Sequence, residues 1–467
     1  MSILVQIIIG LVILGILVVI HEMGHFLMAK ACHIRVLAFS IGFGKPLFKK
    51  TIGETEYRLS SIPFGGYVHM AGEHPEDTNA VLSGSDNGNV PMENDRTDVA
   101  ITFQPGDFNS KPTWQRALVA LAGPVANFFF ALVFLVVMFL VGVDKPVFLK
   151  RPIIGAVSDS SVAKQAGFCP GDSIISINNH PIDSWEDVQT VLGSQSAVYK
   201  IILSRTSMKD SINLIMPRIH GRDFPKQPAG GLLPPYPAVV GSINTNSPAQ
   251  KAGLHVNDVI VSINDRRIYS WPQLSAIIIH YDSLSGPFRF VVRRSDSLVN
   301  ATIAPEYKRD AKRYLIGIAP QTPPTTRVRY PLKEALTRTF RKSWEYTTMI
   351  FDVIGKLVSK QVSAQQLAGP VGIVQMSGLV AMGGLSPILD FMALIGINLA
   401  VLNILPLVIT DGGLLLFLLI ETVRRKPLSI KHQMLINRIA ITFFIFLFLF
   451  VTYNDIKRIP ELLKLVK

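Results

Sequence analysis

Cysteine is nearly absent, with only Cys32 and Cys169 in 467 residues, so neither a disulfide framework nor a thiolate metal cluster can organise the fold. Charge is scarce as well: Asp, Glu, Lys and Arg make up 17% of the chain, against about a quarter in an ordinary soluble protein. The net charge of +13 is not gathered into a long basic stretch with interleaved aromatics, which argues against a nucleic-acid surface. Residues 1–20 contain no Lys or Arg. The apolar N-terminus therefore lacks the positive n-region of a secretory signal, no small-x-small cleavage site follows, and the run reads as a retained span.

What fills the chain instead is apolar, 49% by composition, more than one soluble core needs. Four stretches read as membrane spans, over 1–30, 116–143, 387–422 and 435–453. The third contains Pro406, Gly412 and Gly413, and such breaks are tolerated at membrane depth only where protein or a water-filled cavity satisfies the freed backbone groups. Basic flanks set the orientation. Lys30, Arg35, Lys45, Lys49 and Lys50 follow span one, Lys111 and Arg116 precede span two, and Arg424, Arg425, Lys426 and Lys431 join spans three and four. All would be cytoplasmic, leaving both termini outside.

The cytoplasmic loop over 31–115 holds two β-like runs around Gly and Pro turns, together spanning 40–70, followed by an acidic, Asn/Gly/Ser-rich segment over 73–107 that reads as mobile. Between spans two and three the chain repeats itself. GAVSDSSVAKQAGFCPGDSIISINNHPIDSW (155–185) aligns without gaps on GSINTNSPAQKAGLHVNDVIVSINDRRIYSW (241–271), and the offset of 86 residues still holds where Gly231 and Pro234 fall on Gly317 and Pro320. A constant offset means two copies of one small fold, over 152–235 and 238–321. Each alternates short β-branched runs with one helix and resembles a PDZ domain of the circularly permuted bacterial type, which implies peptide binding at a sheet edge. Residues 330–360 are amphipathic and too charged to span, the pattern of a helix lying on the bilayer surface.

Chemistry is concentrated in HEMGH, residues 21–25. On a helix His21 and His25 stand one turn apart on one face, the spacing with which two imidazoles reach one Zn²⁺, and Glu22 lies beside them as a general base. Ionisable side chains within a span cost roughly 3 kcal/mol each or more, so three in five residues imply a compensating role. A catalytic zinc site needs a third protein ligand. Asp390 opens span three, whereas Asp411 lies deep within it, on the same cytoplasmic half as His25, and is the candidate.

HEMGH in the first span, AGPVANF (122–128) in the second, the tandem PDZ-like pair, and Asn403, Pro406, Asp411, Gly412 and Gly413 in the third together resemble the site-2 protease family, M50-type intramembrane zinc metalloproteases, in its bacterial sigma-E-regulating branch. The resemblance runs over essentially the whole chain in the same order. It implies a polytopic α-helical membrane protein with four transmembrane helices, a membrane-re-entrant β-loop on the cytoplasmic side, and two inserted PDZ-like α+β domains. It implies one zinc ion held by His21, His25 and Asp411, with Glu22 as the catalytic base and Asn403 hydrogen-bonding the substrate backbone. Gly42, Phe43, Gly44, Gly65 and Gly66 would belong to a β-loop that presents a strand edge to an unwound substrate helix, the glycines as its turn positions.

By the same resemblance the substrates are single-span membrane proteins, an anti-sigma factor already cut outside and remnant signal peptides, with the lipid bilayer as surroundings and no nucleic acid. The enzyme would sit in a bacterial inner membrane, PDZ-like domains in the periplasm and the site near the cytoplasm. A different class of function, a membrane-tethered PDZ scaffold with a non-catalytic metal site, is the alternative that the residues themselves leave open; a zinc carrier would need a second metal site along a path. Around Asp411 the chain departs from the family's common pattern: Val408, Thr410 and Leu414 stand where Pro, Leu and His are usual. Local unwinding of span three and the groups that orient Asp411 are where those departures act.

Overall fold

The computed structural model describes residues 3–73, 104–159, 161–192, 198–205, 208–215, 228–282, 284, 286–308, 313–359, 369–407, 410–426 and 430–466. They form two compact units, Met1–Val143 with Arg329–Lys467, and Asp144–Val328.

The first unit contains α1 (Ile3–Ala31), β1 (Val36–Ile52), β2 (Thr55–Met70), α2 (Thr113–Val141), α3 (Leu332–Val358), α4 (Pro370–Ala381), α5 (Leu385–Ile404), α6 (Asp411–Arg424) and α7 (Ile430–Val466). Among the described residues, four helical stretches are long and apolar enough to cross a membrane: Val5–Ala31, Thr113–Val141, Leu385–Ile404 and Arg438–Asp455. Backbone polar groups in hydrocarbon must be satisfied within the segment, which is why these Ile-, Val-, Leu- and Phe-rich runs are helical. They pack through Ile13 and Leu17 of α1 against Phe391, Met392 and Ile395 of α5, with Ala131 and Leu135 of α2 fully buried.

Three boundaries differ from the sequence reading. The stretch over 387–422 is two helices, α5 and α6, separated at residues 405–410, because Pro406 cannot continue the hydrogen-bond ladder. The twelve-residue α4 lies in a segment too short to announce a span. The last helix extends well beyond 435–453 at both ends.

The helix expected over 330–360 is α3. Its buried face carries Ala335, Thr339, Ser343 and Ile350, and Asp390 of α5 takes both the Lys342 ammonium at 2.6 Å and the Tyr346 hydroxyl at 2.7 Å. Leu332, Leu336, Phe340 and Trp344 form an exposed apolar stripe.

The β-runs are longer than 40–70 suggests and begin at Val36. Residues 38–41 lie between two neighbours: they pair with 56–59 on one side, the numbers rising together, and with 66–69 on the other in antiparallel register, while 46–52 close a hairpin with 55–60. The two strands thus fold into a sheet of four segments whose order leaves 65–70 on one edge. The acidic segment needs a correction at its end. Residues 74–103 lie outside those described, but 104–107 are ordered: Asp107 is buried, 2.6 Å from the Arg35 guanidinium, and its second oxygen accepts the Gln104 N–H.

The second unit holds the duplication. Each copy has a four-segment antiparallel sheet: Ser173–Ile177 between His180–Pro181 and Val198–Arg205, followed by Met208–Ile215; and Val259–Ile263 between Arg266–Arg267 and Phe288–Arg294, followed by Ser297–Ile303. Helices Trp185–Leu192 and Trp271–Ile279 occupy the same register and cover separate apolar cores. Even the ion pairs repeat. Arg205 forks onto Asp172 at 2.8 and 2.7 Å, and Arg294 onto Asp258 at 2.9 and 2.8 Å. The copies touch where buried Ser270 caps its own helix and donates to the Gly155 carbonyl at 2.7 Å. Beside it, a Cβ on Gly171 would lie 2.7 Å from the Tyr269 ring. Both cysteines are free, Cys32 buried and Cys169 exposed.

Candidate metal centre

The helical spacing of HEMGH puts both imidazoles on the face of α1 turned to α2. His25 Nδ1 lies 2.8 Å from the Val119 carbonyl oxygen. A carbonyl only accepts, so Nδ1 carries the proton and Nε2 keeps its lone pair. That Nε2 is 3.1 Å from His21 Nε2. Space for the two rings comes from Gly123, where a Cβ would stand 2.2 Å from His25 Nε2 and 2.8 Å from His21 Cε1.

Asp411 arrives from 390 residues away as the first residue of α6. One carboxylate oxygen lies 3.2 Å from His21 Nε2 and the other 3.3 Å from His25 Nε2. Its approach depends on the break before it. The Thr410 hydroxyl donates at the turn, 2.8 Å from the Leu407 carbonyl and 3.1 Å from that of Leu405, and the Thr410 N–H also donates to the Leu407 carbonyl at 3.0 Å. Gly412 must be a glycine here, since a Cβ would come within 2.2 Å of the Leu405 oxygen. Leu414 packs against the apolar cluster of Ala29, Ile34 and Phe108. Val408 lies outside the described residues.

His21, His25 and Asp411 each offer one ligand atom, all within 4.8 Å of one another. Donors around a tetrahedral zinc, each about 2.0–2.1 Å from the ion, stand about 3.3 Å apart; here the two imidazole nitrogens are 3.1 Å apart, and each has a carboxylate oxygen of Asp411 at 3.2 or 3.3 Å, Oδ2 by His21 and Oδ1 by His25. Asp411 Oδ2 is buried and accepts no hydrogen bond, a cost that a cation would remove. The donor set of two imidazoles and a carboxylate fits zinc.

The other expected residues fall around this cluster. Glu22 is half-buried beside the histidines, with the 65–70 edge segment against it at Gly66. Asn403, near the end of α5, brings its amide to 3.4 Å from His21 Nε2. Gly42, Gly44 and Gly65 have φ of +87°, +90° and +85°, the left-handed region that glycine enters without strain. Phe43 folds over Gly65 and stacks on Tyr67, ring centroids 6.2 Å apart. Gly66 is not a positive-φ turn position. It is small because a Cβ would lie 2.7 Å from the Ser40 oxygen and 3.2 Å from Glu22 Cγ.

One residue escaped the list of candidates. Asn127, buried in α2, places its amide 3.3 Å from His21 Nδ1, while its Oδ1 as built has no partner. With the amide turned so that Oδ1 accepts the Nδ1 proton, His21 Nε2 is left free, the same tautomer that Val119 sets for His25. The signal was AGPVANF, where Gly123 and Asn127 stand one helical turn apart.

The sequence profile of peptidase family M50 matches residues 9–447. A Yersinia pestis protein named protease RseP is 32% identical over 98% of this chain and 100% of its own length. The Escherichia coli regulator of sigma-E protease RseP is 30% identical over 96% of this chain and 98% of its own length. A Pasteurella multocida protein named as a candidate zinc metalloprotease is 32% identical over 96% and 98%. With its apolar spans, its partly buried His–His–Asp cluster and these relatives, the chain belongs to peptidase family M50, and it is a zinc metalloprotease of the membrane.

Proposed function

We propose that the chain cuts single-span membrane proteins within the bilayer, with His21, His25 and Asp411 holding one zinc ion and Glu22 serving as general base. The observation that carries this reading is that the three ligand atoms converge beside an edge segment of a sheet, residues 65–70, whose Gly66 sits so close to Glu22 that a Cβ there would lie 3.2 Å from Glu22 Cγ. Zinc, when bound, supplies Lewis acidity that polarises a peptide carbonyl and acidifies water.

The protein's own groups do the rest. A transmembrane helix hides its scissile carbonyl in its own hydrogen bonds, so it must be extended before attack. The 65–70 edge offers replacement hydrogen bonds by strand addition, which offsets part of the cost of unwinding. Glu22 accepts the proton of the attacking water and returns it to the leaving amine. The Asn403 amide, beside His21, donates to the substrate backbone and opposes charge developing on oxygen. Val119 and Asn127 hold the imidazoles so that neither ring turns during the step.

The substrate reading is an anti-sigma factor after a first cut outside, and remnant signal peptides, in a bacterial inner membrane. The duplicated domains, read as PDZ-like and periplasmic, act as a size filter. Metal analysis with cleavage of a model single-span substrate tests the core of this. Glu22→Gln should hold zinc and not cut, and Asp411→Asn should lose both. Cleavage by Asp411→Asn would overturn the ligand set. Deleting residues 152–321 should raise cleavage of untrimmed substrate, and an unchanged rate would remove the filter.

A further inference from the structure

We propose that Arg116 is a positioning residue that ties the helix bearing Asp411 to the root of the sheet beside Glu22. Because α6 begins at Asp411 after a break in the chain, its placement is not inherited from α5. It is set by packing against α2 and by the ion pair between Glu421 of α6 and Arg116 in the first turn of α2, 2.5 Å long. Glu421 is ten residues beyond Asp411, about 15 Å along the helix, so the pair anchors the far end of the element that carries the ligand.

Arg116 is mostly covered, its side chain 11% exposed, and uses its donors in three directions. Nη2 reaches Glu421, Nε donates to the Lys111 carbonyl at 3.1 Å, and Nη1 donates to Asn109 Oδ1 at 3.4 Å. Asn109 continues the chain, its Nδ2 donating to the Gly72 carbonyl at 2.7 Å, two residues beyond the end of β2. At the same corner the Ala71 N–H donates to Arg35 O at 2.9 Å and the Phe108 N–H to Ala71 O at 2.7 Å. Gly72 is six residues past Gly66, where a Cβ would lie 3.2 Å from Glu22 Cγ.

A polar path thus runs from Glu421 through Arg116 and Asn109 to Gly72, linking the third ligand's helix to the edge segment. A planar guanidinium serves three acceptors in fixed directions, which a lysine ammonium on a flexible stem does not.

This inference rests on His21, His25 and Asp411 being the metal ligands. Its test uses the full chain in bilayer discs, without substrate, with two readouts: zinc retention against a chelator, and hydrogen exchange at the Ala71 and Phe108 amides. Arg116→Gln should weaken zinc retention about tenfold, the lower end of what a lost supporting shell costs, and release both amides. Glu421→Gln should change zinc retention alone and Asn109→Ala the amides alone. Arg116→Lys should keep the first arm and lose the second. If Arg116→Gln does not fold, the single-arm variants decide.

Wild-type behaviour of Arg116→Gln in either readout overturns the proposal, as does Glu421→Gln or Asn109→Ala disturbing both. A chain that holds zinc and passes this test yet cuts no membrane peptide would refute the protease reading and leave this one standing.

Discussion

His25 and Val119 are 94 residues apart in sequence and joined by a 2.8 Å hydrogen bond that leaves His25 one nitrogen to give to a metal. The bond exists because α2 passes close over the HEMGH turn, and Gly123 is what allows the approach. Gly123→Ala would push a methyl to within 2.2 Å of His25 Nε2. Zinc content and cleavage should fall together by about a hundredfold, with helicity by circular dichroism unchanged. Normal zinc content in this variant would contradict the described packing.

Asn127 is expected to act on His21 as Val119 acts on His25. Asn127→Leu removes the amide from a nearly isosteric side chain and should weaken zinc retention by about ten- to hundredfold. Asn127→Asp keeps an acceptor for Nδ1–H and should retain most of the affinity. Equal losses in the two variants would show that the amide only fills space.

Thr410 answers for one of the departures around Asp411. Its hydroxyl adds a hydrogen bond to the turn before Asp411, 2.8 Å from the Leu407 carbonyl and 3.1 Å from that of Leu405, which the leucine usual in the family cannot make. Thr410→Val should cost about 1 kcal/mol for the lost hydrogen bond, read as faster zinc loss in a chelator chase, whereas Thr410→Ser should behave as wild type.

Chelation should abolish cleavage and spare the fold. The helices pack through Leu17, Ala131 and Leu135, each fully buried, so the spans do not depend on the ion. Far-UV circular dichroism should be unchanged without metal and activity should return on adding zinc. Unfolding on chelation would make the site structural.

Acid should loosen the second copy of the duplicated domain. Burial alone would raise the Asp258 carboxyl, but the Arg294 guanidinium and the His255 N–H outweigh it and hold Asp258 below its ordinary value. A carboxylate depressed in the folded state contributes stability above its unfolded pKa near 3.9, and that contribution fades as pH falls through the lower folded value. Hydrogen exchange in 259–263 and 288–294 should rise in that window. Asp258→Asn should be less protected at neutral pH and should not change further on acidification.

Local rules made much of this readable. His21, Glu22 and His25 share a helix face by spacing alone, the duplication shows itself as a constant offset, and the apolar runs can only be helices in lipid. What stayed hidden is long-range. AGPVANF marks Asn127 without saying which side chain on another helix its amide meets, and the 65–70 segment looks like half of a hairpin until residues 38–41 are seen paired on both sides. Gly66 was legible as a glycine and misread in its reason: sterics with Glu22 and Ser40, not backbone φ, keep it small. The twelve residues of α4 carry too little periodic signal to separate them from a loop.

The contact of Ser270 and Tyr269 with Gly155 and Gly171 joins the two copies head to tail, and a head-to-tail contact can in principle repeat without end. In the second copy the position of Gly171 is taken by Asn257, whose side chain is already engaged by the Gln321 amide at 3.0 Å. A third module arriving in the same way would meet an occupied asparagine where the second found a bare glycine. At this position the surface that the first copy offers to the second is therefore not reproduced on the second copy itself.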